Sequence, residues 1–149
     1  MRNLIIATTL LFLAACSTNT NSTKSEIFAP EGKAIKGYDP VSFFKEKKAV
    51  KGTGEFAYQW KDALWLFSSR KNMEDFKANP EHYTPQYGGY CAYGMSNGYK
   101  APTETDTWEV VNDKLYFNYN AKVKEEWLEN QQELIQKADM NWPDLKNKE

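Results

Sequence analysis

Histidine and cysteine are scarce in this sequence of 149 residues. It contains one histidine, His82, and two cysteines, Cys16 and Cys91. A single histidine leaves few ways to build the active site of a metal-dependent hydrolase. The sequence also lacks a phosphate-binding loop, a paired-glycine dinucleotide motif, a serine nucleophile elbow and a His-Glu-x-x-His motif. These absences predict a protein without catalytic residues.

A strong charge of one sign is also missing. The chain has 19 basic and 20 acidic residues, a formal net charge of −1, and its lysines are interspersed with acids. A nucleic-acid-binding surface normally needs clustered positive charge. We therefore predict no nucleic-acid partner.

The N-terminus carries an apolar run. Arg2 precedes an apolar stretch over residues 4–13, which is too short to span a membrane and is typical of a secretory signal. Leu13-Ala14-Ala15-Cys16 resembles the lipobox of bacterial lipoproteins, in which the signal is cut before a lipidated cysteine. The resemblance implies that residues 1–15 are removed and that Cys16 carries lipid, with the membrane as its partner. An ordinary signal peptide with a chance cysteine is the alternative.

The lipobox resemblance also implies a location. In lipoproteins of enteric-type bacteria an Asp after the cysteine favours the inner membrane, so Ser17 implies the outer membrane, facing the periplasm. If Cys16 is lipidated, Cys91 has no partner for a disulfide within the chain. Polar residues then predict a flexible tether over 16–26, a folded domain over 27–144 and a frayed tail over 145–149.

Two segments predict β-hairpins. The stretch GTGEFAYQW, residues 52–60, alternates apolar and polar residues from Glu55, and LWLF at 64–67 returns after a short turn. The stretch TWEVVNDKLYFNYN, residues 107–120, predicts a second hairpin with Asn112-Asp113 at its turn.

Three segments predict helices that pack on these hairpins. Asp39 is placed to cap a short helix, and Ser68 or Ser69 is placed to cap another over RKNMEDFKANP. Residues 121–142 predict one long amphipathic helix. Together the elements predict an α+β domain with one small antiparallel sheet made from both hairpins.

Several separated motifs resemble the YHS domain. They are GYDPVSFF at residues 37–44, a Tyr-x-Trp followed by Trp-Leu-Phe-Ser-Ser at 58–69, and MEDFKANPEHY at 73–83. The resemblance covers residues 35–142 and is nearest to secreted single-domain members, which continue with PQYGGYCAYG, here at 85–94. It implies a YHS-like fold and, because YHS domains are generally regarded as metal-binding modules, a role in metal handling.

The chain departs from that family at its metal-associated cysteines. The family pattern is Asp-Pro-Val-Cys near the start and Phe-Cys-Ser-x-x-Cys after the second strand. Here Ser42 follows Asp39-Pro40-Val41, and residues 68–72 after Phe67 contain no thiol. Serine hydroxyls do not replace the thiolates that hold Cu(I) or Zn(II). The family's metal site therefore does not carry over to these positions.

The remaining soft ligands lie in HYTPQYGGYCAYGMSNGY, residues 82–99. Cys91 and Met95 share one face if this segment is helical, and His82 could fold back towards them. A thiolate, a thioether and an imidazole together suit copper, especially Cu(I). A helix beginning at Gly88-Gly89 would also lower the pKa of the Cys91 thiol.

This segment leaves three functions open. The resemblance favours a lipid-anchored envelope domain that binds a transition metal such as copper through Cys91, Met95 and His82. The second is a structural or interaction module with an envelope protein partner, in which Cys91 is a buried small hydrophobe. The third is a thiol-redox protein that uses an exposed Cys91. The tyrosines of the segment fill a core or line a pocket; the pocket candidates are Tyr83, Tyr87, Tyr90 and Tyr93.

Overall fold

The computed structural model describes residues 25–148. Its elements are α1 (Pro40–Lys45), β1 (Thr53–Trp60), β2 (Ala63–Phe67), α2 (Arg70–Ala78), α3 (Pro80–Tyr83), α4 (Ala92–Ser96), β3 (Glu104–Val111), β4 (Lys114–Asn118), α5 (Ala121–Glu129) and α6 (Gln131–Leu145). Short 3-10 turns cover Pro30–Gly32, Ala34–Gly37 and Gln86–Gly89. The predicted signal segment and Cys16 lie outside the described residues. Between residues 25 and 148, no helix has the length and apolar character needed to cross a bilayer.

The predicted α+β class and both hairpins are confirmed. β1 pairs with β2 and β3 with β4, each pair being antiparallel. The hairpins form two separate two-stranded sheets rather than the one sheet we predicted. The physical reason lies at the strand edges, where loop residues bridge to the strands: Lys33 bridges to Leu64 of β2, and Cys91 bridges to Phe117 of β4.

Polar side chains cap three of the helices, and the caps of α1 and α2 were predicted from the sequence, whereas that of α5 was not. Each cap side chain accepts a hydrogen bond from a backbone N–H in the first turn, which satisfies a donor that the helix itself leaves unpaired. The capping residues are Asp39 for α1, Ser69 for α2 and Asn120 for α5.

The long helix predicted over residues 121–142 is divided in two. Asn130, with φ −133° and ψ 37°, leaves the helical conformation between α5 and α6. Asparagine forms helices poorly because its side chain competes for backbone hydrogen bonds. The break lets the two helices pack separately against the domain.

The two faces of β4 separate two hydrophobic cores. Leu115 and Phe117 belong to the first core, whereas Tyr116 belongs to the second. This division follows from the strand period of two. The first core also contains Phe43, Trp65, Phe67 and Phe76, and the second contains Tyr87, Tyr90, Met95, Trp127 and Ala138.

Contacts reach into both segments that the sequence assigned to the tether and the tail. At the N-terminal end, Glu26 forms an ion pair with Lys61 at 2.9 Å. At the C-terminal end, the Lys100 ammonium donates to the carbonyl oxygens of Lys146 and Lys148, both at 2.9 Å. An ammonium at the last carbonyls of α6 also opposes the negative end of the helix dipole favourably.

Candidate functional site

Cys91 is the N-cap of α4. Its Sγ accepts a hydrogen bond from the Gly94 N–H at 3.4 Å, and its own N–H donates to the Ala101 carbonyl at 3.0 Å. The expected helix start at Gly88-Gly89 is not observed, because both glycines have positive φ and belong to the preceding turn. The first turn of α4 therefore begins after the cysteine.

The thiol of Cys91 is sealed inside the domain. The residue is 1% exposed, and its Sγ lies 3.6 Å from Asn118 Oδ1. Burial raises the pKa of the thiol above its ordinary value, although the backbone N–H groups of Gly94, Tyr119 and Tyr93 act in the opposite direction. A buried, protonated thiol is a poor nucleophile. Neither the exposure nor the depressed pKa that the thiol-redox hypothesis needs is present.

The three predicted copper ligands have different surroundings. The Met95 N–H donates to the Cys91 carbonyl at 2.9 Å, so these two residues are one helical turn apart, and Met95 is fully buried. His82 instead packs its ring 5.1 Å from that of Phe44, and its Nδ1 lies 3.5 Å from Asp113 Oδ2. Within the described part of the chain, no three His, Cys, Asp or Glu side chains are grouped to hold a metal ion.

The four candidate pocket tyrosines are divided between the two cores. Tyr83 packs against the first core, with its ring edge-on to that of Phe44 at 5.6 Å. Tyr87 and Tyr90 are buried in the second core, and Tyr93 packs half-buried against it. The tyrosines therefore serve mainly as core residues, and Tyr90 in addition lines a surface groove.

The groove beside Tyr90 has a volume of about 440 Å³. One wall is the N-terminal arm, residues 25–30, which is fixed where the Phe28 N–H donates to the Gly88 carbonyl at 2.9 Å. A Cβ atom at position 88 would lie 1.8 Å from the Glu26 carbonyl oxygen, so only glycine allows the arm to approach this closely. The apolar lining consists of Ile27, Phe28, Ala29, Pro30, Ala101 and Pro102.

A second groove of the same volume provides a contrast. It lies along residues 129–136, where α5 gives way to α6, and measures about 440 Å³. Every residue that lines it is polar, including Glu129, Glu133 and Gln136. The apolar lining beside Tyr90 is therefore not a general property of the concavities of this surface.

A buried polar centre at Asp39 was not predicted from the sequence, which indicated only its capping role. Asp39 is fully buried, and its Oδ1 accepts from the Val41 N–H at 2.9 Å. Its Oδ2 accepts from the Ser68 N–H at 2.9 Å, the Ser68 hydroxyl at 2.7 Å and the Asn72 amide at 2.8 Å. The Ser42 hydroxyl donates to the Asp39 carbonyl at 2.8 Å.

Three of these four partners of Asp39 lie at the positions where the YHS pattern has cysteine. Counted along that pattern, its cysteines fall at Ser42, Ser68 and Asn72. All three residues form hydrogen bonds with Asp39, which occupies the aspartate of the same pattern. The pattern was thus the signal from which this centre could have been predicted. Here Ser68 and Asn72 donate to the Asp39 carboxylate, whereas Ser42 donates to its backbone carbonyl, and all three donors are neutral.

Comparison of the chain with protein-family models, with curated proteins and with solved structures gave no significant match. Any functional conclusion therefore has to come from the chain's own residues and their geometry. Two features stand out on that basis, the apolar groove beside Tyr90 and the sealed corner around Cys91.

Proposed function

We propose that the protein is a lipid-anchored, non-catalytic interaction module of the bacterial cell envelope, of YHS type, that binds an apolar segment of an envelope protein in the groove beside Tyr90. The observation that carries this proposal is the groove itself. It is preformed, and its lining is mostly apolar. The lipid anchor is supported by the lipobox-like residues 13–16.

The groove has the size and rigidity of a binding site. Ligand sites in proteins usually have volumes of about 300–1,000 Å³ and mostly apolar walls. The arm that forms one wall is held by two further contacts: Lys61 pairs with Glu26 at 2.9 Å, and the Tyr90 hydroxyl donates to the Ser25 carbonyl at 2.9 Å. A fixed wall lowers the entropy lost when a partner binds.

The YHS assignment is supported by the meeting of Ser42, Ser68 and Asn72 at Asp39. If these are the family's ligand positions, the triple replacement Ser42→Cys, Ser68→Cys and Asn72→Cys should create a site that binds one Zn(II) tightly. The control is the double variant that keeps Asn72. A folded triple variant that binds zinc no better than the double variant would argue against the assignment.

Copper binding at Cys91 and Met95, with His82, is the second candidate. One observation favours it: the two sulfur residues are one helical turn apart. Cu(I) would have to reach a sulfur atom that is sealed from solvent and displace its thiol proton. The site would also need His82 to leave its contacts with Phe44 and Asp113.

The groove is tested with N-phenylnaphthylamine, a neutral apolar fluorophore, on the chain from residue 16 carrying Cys16→Ser. We expect saturable binding that Pro102→Arg abolishes, because the long new side chain occupies the groove and adds a second charge to that of Lys100. The matched control is Gln136→Arg in the polar groove of equal volume. Equal probe binding by both variants would show that the apolar groove is not the binding site.

The protein partner is tested by placing a photoreactive phenylalanine analogue at position 102 or 136 in the lipidated protein. We expect an envelope protein to be crosslinked from position 102 alone and to be lost when Ala29→Arg is added. Capture of the same protein from both positions would contradict recognition through the groove, whatever the probe result.

A further inference from the structure

Tyr87 and Tyr90 form a matched pair within PQYGGYCAYG. Both are buried, at 3% and 6% exposure, and both hydroxyls donate hydrogen bonds. The Tyr87 hydroxyl donates to Asp139 Oδ1 at 2.8 Å, whereas that of Tyr90 donates to the Ser25 carbonyl at 2.9 Å. A carboxylate can accept the phenolic proton outright, but a backbone carbonyl cannot. Among residues 25–148, Tyr87 therefore has a base at its hydroxyl and Tyr90 does not.

Nearby charges also make the two tyrosines differ in how easily they lose an electron. The Lys100 ammonium lies 5.1 Å from the centroid of the Tyr90 ring, where a positive charge opposes removal of an electron. The carboxylate of Asp139 has the opposite effect on Tyr87. Asp139 is also exposed, so a proton that it receives can pass on to water.

Aromatic rings connect Tyr87 with the surface. The ring of Trp142, which is half-buried, lies 6.0 Å from that of Tyr87. The Lys100 ammonium is 6.0 Å from the Trp142 ring and disfavours a positive charge that remains there. An electron vacancy formed on Trp142 is thus favoured to move inward to Tyr87, where loss of the proton neutralises it.

We propose that Tyr87 is a redox-active tyrosine that is oxidised by an outer-sphere one-electron oxidant, such as an oxidising metal complex, through Trp142. One electron passes from Tyr87 through Trp142 to the oxidant, which is reduced by one electron. The O–H bond of Tyr87 breaks and its proton passes to Asp139. The products are a neutral tyrosyl radical and a neutral carboxylic acid, which returns the proton to water.

Burial makes the proton acceptor necessary. Desolvation is the main reason that the pKa of the Tyr87 phenol lies well above its ordinary value, and its hydrogen bond to Asp139 acts in the same direction. A charged product would be costly in this core, so electron and proton have to leave together. The radical site is independent of the groove, because it requires no bound partner.

The test uses photogenerated tris(bipyridine)ruthenium(III) as the oxidant of the purified protein, with the tyrosyl radical followed by electron paramagnetic resonance. We expect Tyr87→Phe to remove the radical signal and the matched variant Tyr90→Phe to retain it. We expect Asp139→Asn and Trp142→Phe each to slow radical formation. An unchanged signal in Tyr87→Phe, or its loss in Tyr90→Phe, would overturn the proposal.

A measurement on the unmutated protein keeps the test decisive if a variant fails to fold. A nitroso spin trap added during oxidation marks the radical position, which mass spectrometry of the digested protein then locates. We expect the adduct at Tyr87. An adduct at Tyr90 or at another tyrosine, with none at Tyr87, would refute the assignment.

Discussion

Asp39 and Asn118 stand at two buried polar centres that are satisfied to different degrees. Both carboxylate oxygens of Asp39 accept hydrogen bonds, and Ser68 and Asn72 supply three of the donors. Asn118 Oδ1 accepts from the Tyr93 N–H at 3.1 Å and lies 3.6 Å from Cys91 Sγ. Its Nδ2, however, has no partner among residues 25–148.

The difference follows from charge. A buried carboxylate is tolerated only when donors surround it, because the penalty for burying an unpaired charge is large. A neutral amide beside a neutral thiol costs far less when one donor remains unpaired. The Asp39 centre should therefore be indispensable to the fold, whereas the Cys91 centre should tolerate change.

The largest effect is expected for Asp39→Ala. It removes the acceptor of several buried donors from Ser68 and Asn72, so we expect the free energy of unfolding to fall by about 3–5 kcal/mol. Urea unfolding followed by tryptophan fluorescence measures it. Asp62→Asn is the control, because Asp62 is exposed and its positive φ suits asparagine. If Asp39→Ala loses no more stability than the control, the Asp39 centre is not indispensable to the fold.

The matched change at the second centre is Asn118→Ala. It leaves the Tyr93 N–H without its acceptor but also removes the unpartnered Nδ2, so the two effects partly cancel. We expect a loss of about 1–2 kcal/mol in the same urea experiment. A loss equal to that of Asp39→Ala would remove the distinction between the centres.

The features that the sequence predicted correctly depend on near neighbours. Alternation along residues 52–60 was enough to identify β1, and the caps at Asp39 and Ser69 mark their helices because a cap acts within one turn. The α+β class then follows from the mixture of elements. Cys91 and Met95 were placed together for the same reason, since they are four positions apart.

The features that the sequence did not reveal depend on distant residues. Ser68 and Asn72 are 29 and 33 positions from Asp39, and no periodicity connects them. The division into two sheets depends on loop residues that occupy strand edges, such as Cys91 beside Phe117. The burial of Cys91 likewise depends on the whole tertiary structure, so the sequence does not determine whether its thiol is exposed.

Alkaline pH should act on the second core in particular. Burial raises the pKa of the phenols of Tyr87 and Tyr116, that of Tyr116 to about 12. Below the unfolded pKa near 10, both phenols are protonated in the folded and the unfolded chain. Their contribution to the stability of the fold is therefore fully present in that pH range. Above it the unfolded chain releases protons first, and stability falls as pH rises towards the folded pKa.

We expect Tyr87→Phe to reduce this alkaline loss of stability. A single phenol contributes about 1.4 kcal/mol per pH unit once the unfolded chain is ionised. Urea unfolding of both proteins from neutral pH to above the unfolded tyrosine pKa measures the difference. Parallel stability curves for the two proteins would show that the Tyr87 pKa is not raised by folding.

The smallest effect is expected for Cys91→Ser, in the chain from residue 16 that carries Cys16→Ser. Serine is a preferred N-cap and its hydroxyl can replace the thiol towards the Gly94 N–H and Asn118 Oδ1, so stability should change by less than about 1 kcal/mol. Because the thiol is sealed and protonated, anaerobic titration with Cu(I) against a competing chelator should show equal, weak binding by both proteins. Tight binding of one Cu(I) that is lost in Cys91→Ser would instead mean that the corner opens to admit metal. The more tolerant of the two centres would then be the functional one, and copper handling would replace partner binding as the function of this protein.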